Sequence, residues 1–246
     1  MMQNVRRILV IGLISAAGYV HGQLYLGLGF QAGYNSMPNA NVPIDQYNDR
    51  AFLYRPMNRF HWPMGEIHQV SYRSGRGMVL LNLNTRRQRA TAKSFNSTTN
   101  GLDQTDWRFV IQALSLGGGY AMVDKEKFVM YLGAALDAGY MRLLNRSGPE
   151  SQIHRIDYSL VRRLPVFAGS TFLKMSFRES QEDITTWSIA PYVHVPFQEF
   201  DFQFFDQMLN GSTPGIPAIT APLLDNPFNV GLSVNFDLDI LGFLDE

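Results

Sequence analysis

Every second residue from Leu24 to Tyr34 is apolar or aromatic. Leu24, Leu26, Leu28, Phe30, Ala32 and Tyr34 share one parity, and Gln23, Tyr25, Gly27, Gly29, Gln31 and Gly33 take the other. Period-two alternation places successive side chains on opposite faces of an extended strand, here with one apolar face and one mostly small or polar face. The far end of the chain repeats it: Phe228, Val230, Leu232, Val234, Phe236 and Leu238 alternate with Asn229, Gly231, Ser233, Asn235 and Asp237. A chain that opens and closes on such strands must pair both edges or close them on each other.

The segment before the first strand reads as an export signal spanning residues 1–22. Arg6 and Arg7 form a positive start, Ile8 to Val20 an apolar stretch too short to cross a bilayer as a helix, and Val20-His21-Gly22 a cleavage site that leaves Gln23 first. Residues 23–246 then form a single domain. No later stretch approaches the ~20 apolar residues of a membrane helix, so a membrane location requires a closed barrel. The chain has no cysteine, which excludes disulfides, thiolate metal sites, a Cys nucleophile and a lipoprotein anchor. Its 21 basic and 21 acidic residues balance, giving no electrostatic footprint for nucleic acid.

Between the two ends, Phe128–Tyr140, Leu173–Phe177 and Trp187–Val195 alternate cleanly, and Met78–Arg89 does so over a shorter apolar part. Asp106–Met122 switches faces near Ala113–Leu114, where a β-bulge is the expected cause. Gly65–Arg73 has mixed faces and is counted as a strand because the order needs one there. Turn residues at Ser74-Gly75-Arg76-Gly77, Asp124-Lys125 and Ser180–Asp183 alternate with longer connections, one of them at Ser94–Thr105. Short turns on one side and long loops on the other, over eight strands, describe an all-β, closed, antiparallel up-and-down transmembrane barrel with short turns in the periplasm. At ~3.3 Å per residue and ~40° tilt, Phe128–Tyr140 rises about 30 Å, enough to cross the ~25 Å apolar band of such barrels. Tyr34 and Phe228 are then expected at the outer interface, and Trp187 and Phe236 at the inner one.

Two of the long loops carry helical spacing. Pro43 opens one helix, with Ile44, Tyr47, Ala51 and Phe52 on a face; Pro196 opens another, closed by Asn210-Gly211. In a closed barrel these short helices sit side by side at the extracellular mouth. The second loop holds Phe197, Phe200, Phe202, Phe204 and Phe205. If exposed, these rings form a partner-binding surface; otherwise they pack over the mouth against Phe52 and Tyr54.

Facing inward, Arg108, Asp137, Lys174, Arg178 and Asp237 form an expected lumen charge network, paired because isolated charges in a narrow interior are costly. Eight strands leave a lumen just filled by side chains, which argues against a wide pore. Arg87, Arg89 and Lys93 extend outward beyond the apolar part of their strand, as a rim for lipid phosphates or a solvated hairpin edge. No metal-binding motif is present and no cofactor is expected. A Ser/His pair involving His154 is the one enzymatic alternative, a lipid-modifying barrel; a soluble barrel binding an apolar ligand is the other alternative reading.

The opening run Gln23-Leu-Tyr-Leu-Gly-Leu-Gly-Phe-Gln-Ala-Gly-Tyr34, the Ile44-Asp-Gln-Tyr-Asn48 stretch and the closing Phe228-Asn-Val-Gly-Leu-Ser-Val-Asn-Phe-Asp-Leu238 resemble outer-membrane β-barrel proteins of Bacteroidota. The resemblance implies insertion in a Gram-negative outer membrane and a fold of the small OmpA and OmpX kind. Such barrels commonly end on an aromatic residue, whereas this chain runs past Phe236 to Phe243-Leu-Asp-Glu246. The function that follows is a structural, docking or accessory subunit of an envelope complex. Its expected partners are outer-membrane lipid and, through the loops, other envelope proteins.

Overall fold

The computed structural model describes residues 22–49, 53–179, 184–211 and 219–241. The expected export signal, Ala51 and Phe52, the Ser180–Asp183 turn and the tail containing Phe243 lie outside the described residues. The strands are β1 (Gln23–Ser36), β2 (Leu53–Arg55), β3 (Met64–Ser74), β4 (Gly77–Asn96), β5 (Gly101–Lys125), β6 (Phe128–Pro149), β7 (Ser159–Phe177), β8 (Thr185–Pro196), β9 (Phe200–Asp201), β10 (Leu224–Asp225) and β11 (Phe228–Asp239). Helices α1 (Pro38–Asn48) and α2 (Gln203–Asn210) and a 3₁₀ turn at Glu150–Arg155 complete the fold.

Eight strands close into a ring. β1 pairs with β3, followed in turn by β4, β5, β6, β7, β8 and β11, and β11 returns to β1, every pair antiparallel. The mixed Gly65–Arg73 segment is a full member, as β3. One row of directly opposed residues measures the closure. It passes from Tyr25 through Ser71, Leu80, Gly117, Ala135, Ser170, His194 and Asn229 and returns to β1 at Asn35. The ring therefore closes ten residues above its start. With ~3.3 Å rise and ~4.8 Å strand spacing, that stagger tilts the strands by about 40°.

One end of the barrel carries tight turns, including Gly75 at φ +53°, a left-handed conformation that suits glycine. The other end carries the helices. Two expected loops at that end are strand instead. β4 runs to Asn96 and β5 restarts at Gly101, while β6 reaches Pro149 and β7 begins at Ser159. The reason is an inversion of the apolar face. Low on β5, Leu114 and Leu116 point out and Ser115 points in; higher up, Phe109 and Trp107 are buried inside while Arg108 points out. β4 inverts in the same way, from Leu83 outside to Ala90 and Ala92 inside, and β6 from Leu136 outside to Met141 and Leu143 inside. The pairing of β5 with β6 runs unbroken past Ala113–Leu114, and its one shift falls at Ala121/Val123. The face switch near Ala113 is thus a change of surroundings, and no bulge lies there.

The inverted section encloses a core. Met37 just before α1, Ala40 and Ile44 of α1, and Phe205 and Leu209 of α2 pack onto Trp107, Phe109, Met141 and Val166 from the barrel wall, with Phe60 between them. The Phe205 ring meets Trp107 edge-on at 4.9 Å between centroids and Phe60 at 6.0 Å. The two helices do sit side by side, joined by Asn210 Nδ2 donating to the Pro43 carbonyl at 3.1 Å.

Both helices start elsewhere than the prolines indicate. α1 begins at Pro38, because the Asp225 carboxylate accepts the free N–H groups of Asn39 (3.3 Å) and Ala40 (2.6 Å) and so caps that end. Pro196 ends β8. α2 starts only after β9, which pairs with β10 beyond the helix, and Asp201 accepts the Gln203 and Leu223 N–H groups.

Of the two readings of the phenylalanine-rich loop, packing over the mouth is the one observed for four of its five rings, and the partner-binding surface is not formed by them. Phe200, Phe202 and Phe205 are buried in the plug and Phe204 is partly buried against it, because the inverted wall offers them an apolar interior; Phe197 is the exposed one. Tyr54, proposed as their packing partner, is exposed. Truncating Phe205 to Ala removes the ring at the centre of this plug and should cost about 3–5 kcal/mol. Denaturant unfolding of the refolded barrel reads that loss.

Candidate functional site

Glycines at alternate inward positions of β1 leave room for the side chains of β11 to cross the lumen: a Cβ on Gly27 would lie 2.3 Å from Asp237 Oδ1. In that space Asp237 accepts from Lys174 Nζ at 2.7 Å and Arg73 Nη2 at 3.3 Å, with Gln69 at 3.4 Å. The Arg73 guanidinium lies 4.1 Å from the Tyr25 ring centroid and 5.5 Å from that of Tyr131. This lower layer closes the lumen towards the turns.

A second layer sits above it. Asp137 accepts from His194 Nδ1 at 2.8 Å and also from the Ser170 hydroxyl. Arg86 donates to Asn229 Oδ1 at 2.9 Å, and its other terminal nitrogen is 3.2 Å from His194 Nε2. An arginine can only donate, so Nε2 accepts and the ring proton sits on Nδ1, facing Asp137. Three buried cations, Arg73, Arg86 and Lys174, thus share the lumen with three buried carboxylates, Asp137, Asp237 and Asp239. Between the layers lies a cavity of about 80 Å³ lined by groups such as Asn82, Tyr192 and Asn235. Asn82 Oδ1, Tyr192 Oη and Asn235 Oδ1 are buried without a hydrogen-bond partner, a setting suited to trapped water.

Serine, histidine and aspartate meet here, but not as a nucleophilic relay. A relay places Ser and Asp on opposite ring nitrogens. Ser170 (3.2 Å) and Asp137 both lie on Nδ1, while Arg86 occupies Nε2. The layer is built to hold charge in place. His154 is exposed on the 3₁₀ turn, with no hydrogen bond to a serine among the described residues.

Of the five residues expected in the lumen network, Asp237 and Lys174 are paired in the lower layer and Asp137 anchors the upper. Arg178 shares their face but lies at the turn end, bonded to the Glu126 (2.6 Å) and Lys125 (3.2 Å) carbonyls and 3.7 Å from Asp124. Arg108 is a correction. It points outward, 4.1 Å above the Tyr158 ring, because the face inversion of β5 puts apolar Phe109 and Trp107 inside. Arg73, Arg86 and His194 were missed as members. Arg86 shares a parity with Asn82 and Asn84, which was a usable signal; Arg73 sits in β3, whose mixed faces hide its direction.

On the outside, Arg87, Arg89 and Lys93 all point away from the lumen. Arg89 is tied to Asp106 at 2.5 Å and Lys93 to Glu150, whereas Arg87 has no ion-pair partner among the described residues. Asp106 also receives Arg146 at 2.9 Å, Thr91 at 2.8 Å and Gln104 at 2.9 Å. Its burial works to raise the carboxyl, but these four donors outweigh burial and hold it below the usual carboxylate range. For Asp225, burial prevails over the two backbone N–H donors of α1, and its carboxyl titrates above the usual range.

These features define a closed, plugged, eight-stranded barrel with a charge-balanced lumen. No protein-family model matches the chain, and no curated protein does. Among solved structures it is similar in shape to Neisserial surface protein A (TM-score 0.46, 10% identity, covering 88% of this chain and 97% of that one). It is also similar to Ail, the attachment invasion locus protein of Yersinia pestis, in complex with the heparin analogue sucrose octasulfate (TM-score 0.42, 10% identity, 89% and 99%). A third likeness is to the N-terminal β-barrel domain of Pseudomonas aeruginosa OprF (TM-score 0.36, 9% identity, 89% and 100%).

Replacing Asp237 by Asn leaves Lys174 and Arg73 without their shared anion. Breaking such a buried pairing costs about 3–5 kcal/mol, readable as a lower unfolding midpoint. Asp106 yields a pH prediction. Its folded value lies below the unfolded one of about 3.9, so its contribution is complete above that pH and is lost as pH falls through the folded value. The stability difference between the native chain and Asp106→Asn should therefore shrink on acidification below about pH 4, measured by unfolding midpoints across a pH series.

Proposed function

We propose that this chain is an outer-membrane barrel that works as a structural, docking or accessory subunit of the cell envelope and conducts nothing through its lumen. The observation that carries this reading is a lumen obstructed at successive heights, by two layers of paired charges below and the α1–α2 plug above. Membrane placement is supported by the exterior. Between the inverted upper section and the turn end, residues such as Leu28, Leu116, Leu132, Leu136 and Val234 are exposed, as a lipid-facing surface requires. Aromatic rings border this zone. Near the turn end Phe177 stacks on Trp187 at 4.3 Å between centroids and meets Phe128 at a tilt at 5.3 Å, while Tyr34, Tyr140, Phe167 and Phe228 lie towards the other.

In this orientation the tight turns face the periplasm and the helices the exterior. Just above the upper rings, Arg87, Arg142 and Arg163 point out, with Arg142 and Arg163 direct cross-strand neighbours and Arg163 3.6 Å over the Tyr140 ring. None of the three has a carboxylate partner among the described residues, so lipid phosphates are suitable counter-ions. Arg89 and Lys93 belong to the protein's own ion pairs. Above this rim, β4 and β5 rise as a tall hairpin whose exposed Phe95, with Tyr54 nearby on β2, forms the docking surface of this reading.

Reconstituted into a planar bilayer, the refolded protein should show no steady ion conductance, and trimming the hairpin tip at Phe95–Leu102 should abolish co-purification of envelope partners without affecting insertion. Open-channel currents from the native chain would rule out the sealed-barrel reading.

A further inference from the structure

The outward face between the two aromatic belts is apolar or uncharged almost throughout, but β3 breaks it. Glu66 and His68 are the only carboxyl and the only imidazole on that face among the described residues, and both are exposed. Glu66 lies beside Phe30 and Thr85, and His68 beside Leu28 and Leu83. Phe30 is four residues short of Tyr34 in the upper belt, so both groups sit inside the apolar zone and away from its rim. Neither side chain has a hydrogen-bond or ion-pair partner among the described residues. Ionisable groups held against lipid are costly and mark contacts.

We propose that this face of β3 is the contact between two copies of the chain, in which each Glu66 meets His68 of the partner subunit. The inference rests on the membrane placement argued above. The choice of a second copy follows from the patch itself. It carries one acceptor and one donor, two residues apart on one face, and a two-fold contact is self-complementary: residue i meets j while j meets i. A single patch thereby satisfies both polar groups twice.

Two barrels inserted in the same direction are related by an axis along the membrane normal. With strands tilted by about 40°, an axis passing between Glu66 and His68 makes the two β3 strands cross and brings Leu28 of each copy next to the axis. Leu28 is 64% exposed and lines a shallow outer groove with Leu26, Val70 and Leu83, the apolar surface such a contact would cover.

The chain contains no cysteine, so single reporters are clean. Leu28→Cys, oxidised in isolated outer membranes, should give a disulfide-linked band at twice the monomer mass. Leu136→Cys on β6, elsewhere on the lipid face, should give none. In the Leu28→Cys background, Glu66→Ala and His68→Ala should each reduce the dimer band at least tenfold while the heat-modifiable mobility of a folded barrel persists. A folded, membrane-inserted Leu28→Cys chain that stays monomeric or links to a different mass overturns the inference, as does cross-linking indifferent to both alanine variants. Recovery of the chain in the soluble fraction instead overturns the membrane reading, and this contact with it.

Discussion

The ten-residue stagger with which β11 closes onto β1 sets the conditions for everything else in the molecule. Eight strands at about 40° of tilt enclose a lumen only as wide as the side chains that fill it. A polar group pointing inward must then find a protein partner or trapped water within a few ångströms. Asp237 serves two cations at once, and His194 is held from both ring nitrogens. Inward glycines on β1 are part of the same economy of space, since the groups that cross the lumen need it.

Along its axis the barrel inverts its apolar face. In the lower section the apolar face looks outward, and the interior holds the buried charges beside a small apolar cluster that includes Met78, Leu80, Val129 and Tyr131. In the upper section the interior is a packed core of helices and aromatic rings, while the exterior carries the Arg89–Asp106–Arg146 cluster. The same strands run through both sections, so one continuous sheet is apolar on the outside in its lower part and apolar on the inside in its upper part. The loops inherit their role from this inversion: their phenylalanines turn inward because the wall beside them offers an apolar interior, and the outward surface is left to the long hairpins.

Much of the architecture was legible from residue order. β1, β8 and β11 alternate cleanly because each has one apolar face over its whole length, β6 does so over Phe128–Tyr140, and the directions of Asp137, Lys174 and Asp237 followed from parity alone. β3 was harder to read because Glu66 and His68 interrupt its outward face. Arg108 was misplaced because the apolar parity of β5 reverses within the strand, and the reversal resembles the signature of a bulge. The buried phenylalanines were ambiguous for a related reason: a ring-rich loop reads the same whether it covers its own barrel or waits for a partner.

By itself the sequence determined that the chain forms alternating strands closed into a ring, and which residues share a face along each uninterrupted run, because parity in an extended strand is a local property. Only the tertiary structure decided which face is inside at each height, where the strands end, and which of Arg73, Arg86 and His194 meet which carboxylates. Those outcomes depend on strand stagger and on what lies across the lumen, between residues far apart in the chain, and no local pattern encodes them.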